Sequence, residues 1–267
     1  MGYAKPLLDV AARQWQNGAF SDKAEHVIEE TPVALVYNGH PHVVMMATPQ
    51  DLEDFAVGFS VTEELVASAK DVKKVTEVRY SGGIELQLQV PAECDERIAA
   101  RARKLAGQTG CGICGADSIE TVLKTLHPVT AKTKIKASAI QTALGGLKAH
   151  QTLNEFSGSS HAAAWANVDG EIGVVREDVG RHNALDKLIG ALLKAGTDSS
   201  QGFVVVTSRG SFEMVQKVTV LGAPLMAAIS GPTGLAVRIA EQAGLTLVGF
   251  ARPGKLTAYA HAARLLA

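Results

Sequence analysis

The sequence predicts an α/β protein, an α+β first part followed by a more regular α/β second part, and three observations carry that reading. Two turn pairs, Asn38-Gly39 and Asp169-Gly170, each lie between short runs rich in β-branched and apolar residues, the mark of a hairpin. Two β-loop-α units follow one another in the second half, 203–206 into a helix from Phe212 and 224–229 into a helix from Gly234. The 267 residues are 46% hydrophobic and 20% charged, enough apolar material for a substantial core in one large or two smaller domains.

Taken in order, strands at 33–37 and 42–46 flank the first turn pair. Thr48 then opens a helix over 49–65: Asp51, Glu53 and Asp54 suit its positive end, and Leu52, Phe55, Ala56 and Phe59 repeat at helical spacing. A second hairpin, 75–80 and 84–90, turns at Ser81-Gly82-Gly83, and an Ala- and Arg-rich helix at 96–105 leads into a Gly-rich segment. The Lys-rich stretch 131–136 places a boundary, giving an N-terminal domain of 1–130 and a C-terminal domain of 131–267. Beyond it come a helix, strands at 161–168 and 172–179, and a helix at 183–194 with Leu185, Leu188, Ile189 and Leu192 on one face. The two β-loop-α units, a strand at 246–250 and an extended 256–259 complete the chain.

A net charge of -1 supplies no general field for nucleic acid or a membrane surface, so neither is an expected partner and an anion needs local Arg and Lys clusters. No apolar run is long enough to span a bilayer, and Met1-Gly2-Tyr3-Ala4-Lys5-Pro6 lacks an apolar leader. Three cysteines, two of them close together in a Gly-rich loop, are poor material for a disulfide framework, and a reducing cytoplasm is the expected location.

The two neighbouring thiols lie in Thr109-Gly110-Cys111-Gly112-Ile113-Cys114-Gly115, where glycines give little steric shielding. Asp117-Ser118-Ile119-Glu120 has the form of a capping box, so a helix is expected to start there with its positive end favouring thiolate. A sulfur relay fits this pair. Half of a zinc site competes, with Cys94 as the one further cysteine and no second Cys-x-x-Cys or His-x3-His to complete it. A thioredoxin-type redox pair also competes, although a strand rather than a helix would precede it. Cys94, among acids at a helix start, reads as structural, and no permanently bound metal is expected.

Anion sites are expected in the second half. Ser208, Arg209, Gly210 and Ser211, like Ser230-Gly231-Pro232-Thr233, put small hydroxyl residues and glycine at a helix N-terminus, where free N–H groups hold a phosphate. The stretch 176–187 gathers seven ionisable groups around a strand end and a helix start. Arg181 and Lys187, with His182 beside them, can face phosphates there, and Asp178 or Asp186 can accept from a guanine edge or orient Arg181. A salt-bridge network at the junction is the structural alternative. His161 reads either as a hydrogen-bonded strand-start residue or as a catalyst. Phe250, Ala251, Arg252, Pro253, Gly254 and Lys255 form a short basic turn suited to clamping an anion.

Six segments in this order, DLEDFAVGFSVTEE (51–64), TGCGICG (109–115), SHAA (160–163), REDVGRHNALDK (176–187), SRGSFEMVQK (208–217) and LTLVGFARPGK (245–255), resemble the formate dehydrogenase accessory sulfurtransferase family, the FdhD-type sulfur carriers, over nearly the whole chain. The resemblance implies a sulfurtransferase that accepts sulfur from a cysteine desulfurase as a persulfide on Cys111, with Cys114 as its second thiol. It passes the sulfur to the molybdenum bis(molybdopterin guanine dinucleotide) cofactor, bound as substrate and needed by formate dehydrogenase. It also implies a homodimer, a cofactor-binding turn at 250–255, and a cytidine-deaminase-like three-layer C-terminal part without the zinc chemistry. The family often has Gly or Asn where this chain has Pro253, and Arg where it has Lys255, which trades a guanidinium fork for a point charge. A non-catalytic molybdenum-cofactor chaperone that binds the guanine dinucleotide is the alternative. A zinc-stabilised nucleotide-binding module is a third reading.

Overall fold

The computed structural model of the chain describes residues 5–105 and 126–267. Cys111, Cys114 and the expected capping box at 117–120 lie outside the described residues. The first element is a hairpin the sequence reading does not contain, β1 (Leu7–Gln16) paired antiparallel with β2 (Ala19–Ile28). It turns at Asn17-Gly18, both residues at positive φ as a two-residue hairpin turn requires. The signal is the same Asn-Gly pair that marks residues 38–39, but the flanking strands are mostly exposed and carry little apolar alternation.

Next come β3 (Thr31–Tyr37), β4 (His40–Ala47), α1 (Leu52–Thr62), β5 (Lys74–Tyr80) and β6 (Gly83–Gln89). Both predicted hairpins are present, and a parallel pairing of β3 with β6 joins them into a sheet of order β4-β3-β6-β5. No local signal announces that pairing. Leu52, Phe55 and Phe59 of α1 meet Leu35, Tyr37, Leu86 and Leu88 in a core to which α2 (Asp95–Leu105) adds Ile98. The helix does not open at Thr48. Asp51, at φ 53, caps α1 instead, because Thr48 is held elsewhere: its N–H donates to Asp178 Oδ2 at 2.9 Å and its hydroxyl accepts from the Val179 N–H at 3.0 Å.

The second half contains β7 (Ile135–Lys136), α3 (Ala137–Leu147), α4 (Thr152–Ser157), β8 (His161–Asn167), β9 (Ile172–Asp178) and α5 (Arg181–Ala195). It continues through β10 (Gly202–Val206), α6 (Phe212–Leu221), β11 (Leu225–Ala228), α7 (Gly234–Ala243), β12 (Thr246–Arg252), β13 (Lys255–Ala260) and β14 (Leu265–Leu266). Six of these strands form one sheet of order β13-β12-β11-β10-β8-β9, in which β10, β11 and β12 run parallel. Side chains alternate across it. Val204, Val206, Met226 and Leu247 pack on α5, α6 and α7 through Leu185, Leu188, Val215 and Ile239. Phe203, Val205, Leu225 and Val248 pack on α3 through Ile140 and Leu147, so the second half is a three-layer α/β structure.

The halves meet where α1 crosses α5. A Cβ placed on Gly58 would lie 1.8 Å from the Asp186 carbonyl oxygen, and one on Gly190 would lie 1.9 Å from the Asp54 carbonyl oxygen. Only glycine at both positions lets the backbones approach this closely.

Candidate functional site

The parallel run β10-β11-β12 points three carboxyl ends toward one edge of the sheet, and antiparallel β8 starts and β9 ends at that same edge. His161 is therefore paired with Asp178, and Ala163 with Val206. Arg181 and His182 follow β9 on α5, turn 208–211 follows β10, turn 230–233 follows β11, and turn 250–255 joins β12 to β13. Folding thus brings to one edge Arg181, His182 and the turns 208–211 and 250–255 expected from the sequence, with neighbouring strands about 5 Å apart.

The turns hold one another. Gly210 bridges Pro232, the Thr233 N–H donates to the Gly210 carbonyl at 3.0 Å, and the Phe250 N–H donates to the Ser230 carbonyl at 3.1 Å. Phe250, at φ 48, is held beside turn 230–233: a Cβ on Gly231 would come within 2.8 Å of its ring. The Arg252 guanidinium lies 6.0 Å from the centroid of that ring. Gly254 donates its N–H to Gln141 Oε1 of α3 at 2.8 Å, so the basic turn is docked on the helix layer. Ser208 is buried and its hydroxyl donates to the Arg209 carbonyl at 3.1 Å, whereas Ser211 caps α6 with its Oγ buried and without a partner. His182 Nε2 lies 3.1 Å from Glu213 Oε2 across the starts of α5 and α6, without the geometry of a hydrogen bond. Glu213 was not expected at the site, since its partner is distant in sequence and no local pattern connects them.

The junction 176–187 divides into a buried and an open part. Lys187 and Asp178 form an ion pair at 2.6 Å with both side chains 0% exposed. Asp178 also accepts from the N–H groups of Thr48 and Gly180 and from Asn183, and Lys187 donates to the Thr48 carbonyl at 2.9 Å. Lys187 has no surface to offer a phosphate, and Asp178 has none for a guanine edge. Both expectations are corrected by burial. Asp186 is likewise enclosed, 2.9 Å from Lys217 through each carboxylate oxygen, with Thr62 donating at 2.7 Å. Burial pushes the Asp186 carboxyl up from its usual range while Lys217 opposes the shift. Burial also works against the Lys217 charge, but Asp186 and then Glu63 outweigh it and leave its pKa raised. The salt-bridge reading of this junction therefore holds for Asp178, Asp186 and Lys187, and leaves Arg181 and His182 at the edge.

Among the described residues, Arg181, Arg209, Arg252 and Lys255 have no ion-pair partner, nor has Arg238 on α7. Arg181 Nε is buried without a hydrogen-bond partner, an expensive state that a bound acceptor would relieve. His161 is half-buried; burial first, then the Arg181 guanidinium, holds it below its usual pKa, with Asp178 opposing. It faces the edge as a neutral ring at pH 7. The arrangement can bind an extended anion along the edge and supply charge-assisted donors to it.

Comparison with known proteins places these features in context. The family model described as the FdhD/NarQ family matches residues 28–266. A protein named sulfur carrier protein FdhD from Cupriavidus necator is 50% identical over 255 residues, covering 96% of this chain and 88% of its own. One of the same name from Bordetella bronchiseptica is 45% identical over 245 residues, covering 92% and 89%. The fold is similar to the crystal structure of a formate dehydrogenase accessory protein from Desulfotalea psychrophila, with a TM-score of 0.76 at 23% identity over 97% of this chain and 99% of that one.

Proposed function

The chain belongs to the FdhD/NarQ family, and on that premise we propose that it is a sulfur carrier for formate dehydrogenase. It takes sulfur from a cysteine desulfurase as a persulfide on Cys111. It delivers that sulfur to the molybdenum bis(molybdopterin guanine dinucleotide) cofactor, held as substrate along the carboxyl edge of the six-stranded sheet. The reading is a transferase acting in the cytoplasm as a homodimer. The observation that carries it is the edge itself, where unpaired Arg181, Arg209, Arg252 and Lys255 converge with two helix N-termini and the orphaned Ser211 hydroxyl. A dinucleotide diphosphate needs several charge-assisted donors, and a chain of net charge -1 supplies them only through such clustering. The guanine end has Phe250 to stack on, 40% exposed beside Arg252.

Intact-mass analysis after incubation with a cysteine desulfurase and cysteine tests the carrier role. Sulfur-atom increments that a reductant removes, and that vanish in Cys111→Ala, are expected. Calorimetry with GDP tests the edge, and binding by the wild type is expected. Loading without any GDP binding would leave a carrier whose cofactor binds elsewhere. GDP binding without loading would favour the non-catalytic chaperone.

A further inference from the structure

Two adjacent acids close α1, and their carboxylates reach opposite ends of the segment that separates the two described parts of the chain. Arg101 of α2 donates through Nη2 to Glu63 Oε2 at 2.7 Å. On the far side, His127 Nε2 lies 2.8 Å from Glu64 Oε1. The stems on either side of 106–125, the stretch containing Cys111 and Cys114, are thus pinned to consecutive residues.

The platform under them is fixed. Glu64 adopts a left-handed φ of 58, a state that a long side chain holds only where its surroundings impose it. The surroundings do so here: the N–H of Glu63 bonds to the Phe59 carbonyl at 2.9 Å, that of Leu65 bonds to the Ser60 carbonyl at 2.9 Å, and Leu65 and Val66 are buried. Behind the platform, Glu63 Oε1 accepts from Lys217 Nζ at 3.2 Å, and Lys217 is bound in turn to Asp186. Lys217 and Asp186 lie five residues into α6 and α5 respectively, about 7.5 Å from the helix starts that form the anion edge.

We infer that Glu63 and Glu64 are positioning residues that pin both stems of segment 106–125 and, through Lys217 and Asp186, set them at a fixed place relative to the anion edge. The ion pairs run unbroken from α2 through the end of α1 to the two helices whose N-termini face the candidate cofactor. That this register serves sulfur delivery rests on the sulfur-carrier reading above; that the stems are pinned does not. An ion pair as enclosed as Lys217 with Asp186 is a weak source of stability and is best used to fix register. The exposed His127 pair adds little stability, so its loss leaves the fold intact.

The test compares the full-length wild type with Glu63→Gln, Glu64→Gln and the double variant. Hydrogen exchange should quicken at 95–105 in Glu63→Gln, at 126–131 in Glu64→Gln and in both windows in the double variant. Persulfide loading by intact mass and GDP affinity should match the wild type. Formate dehydrogenase activation per loaded persulfide should fall about tenfold or more in the double variant, as expected when reacting groups are held out of register. Unchanged exchange in both windows, or unchanged delivery per loaded persulfide, overturns the inference. If the double variant does not fold, Glu64→Gln decides alone, with exchange at 126–131 and delivery as its readouts. A wild type that never loads sulfur removes the carrier reading, and exchange still decides the pinning.

Discussion

Lys187 shows what a single residue can conceal in a sequence. Its neighbours Arg181 and His182 suggest an anion site, and helical geometry places Lys187 on the same element, yet it is fully buried against Asp178. Sequence spacing gives the helix face but not which neighbour covers it; here the cover is Thr48, just beyond β4 and 139 residues earlier. Lys187→Ala should cost about 3–5 kcal/mol, because it strands a buried carboxylate. Urea unfolding measures this, and a loss under about 1 kcal/mol would remove the pair from the core. His42 makes a second case. Both ring nitrogens are buried without partners, between Tyr37 and Phe59, and burial lowers its pKa to about 4. The fold holds it neutral, while the unfolded chain titrates near 6.5. Its stabilising contribution is therefore complete above pH 6.5 and is lost as pH falls toward about 4. Unfolding at pH 7 and pH 5 should show that loss in the wild type and a shallower one in His42→Leu. At the thiols, Cys111→Ala should abolish formate dehydrogenase activation with an unchanged melting temperature. Cys114→Ala should load sulfur and deliver it more slowly.

Elements were legible where local chemistry was strong. Asn38-Gly39 and Asp169-Gly170 announce hairpins because few residues tolerate the left-handed angles, and the β-loop-α units announce themselves by a period change from strand to helix. What lies between elements was less legible. The parallel β3-β6 pairing and the α1–α5 crossing join residues whose separation no local pattern spans. The crossing is open to test: Gly58→Ala should force the helices apart and cost about 1–3 kcal/mol or more. Gly145→Ala in α3 meets nothing within 4 Å and should stabilise by about 0.4–1 kcal/mol. A calorimetric comparison in which both changes are neutral would contradict the packing. At the basic turn, Arg252→Ala with Lys255→Ala should weaken GDP binding by about 1.5–3 kcal/mol per charged hydrogen bond lost, while loading on Cys111 continues. Unchanged affinity by calorimetry would take the turn out of the site.

At the scale of the whole molecule, the anion edge was legible as a list of turns but not as a place. Turns 208–211, 230–233 and 250–255 become neighbours only through the strand order β12-β11-β10, and Arg181 joins them because β8 runs antiparallel. The sheet order is a long-range outcome, and Glu213 and Gln141 entered the site through it unannounced. The backbone contact between Gly58 and Gly190 carries a further consequence, one of timing during synthesis. Helix α1 packs its apolar face on β3 and β6, but its Gly58 face waits for α5, and the Thr48 to Asp178 bond closes a separation of 130 residues. At ribosomal rates of about 5–20 residues per second, that interval lasts roughly 6–26 s. Throughout it, Asp54 and Thr62, both buried in the finished protein, are without their partners from the second half. The nascent first half thus completes the packing of α1 only when the second half is made.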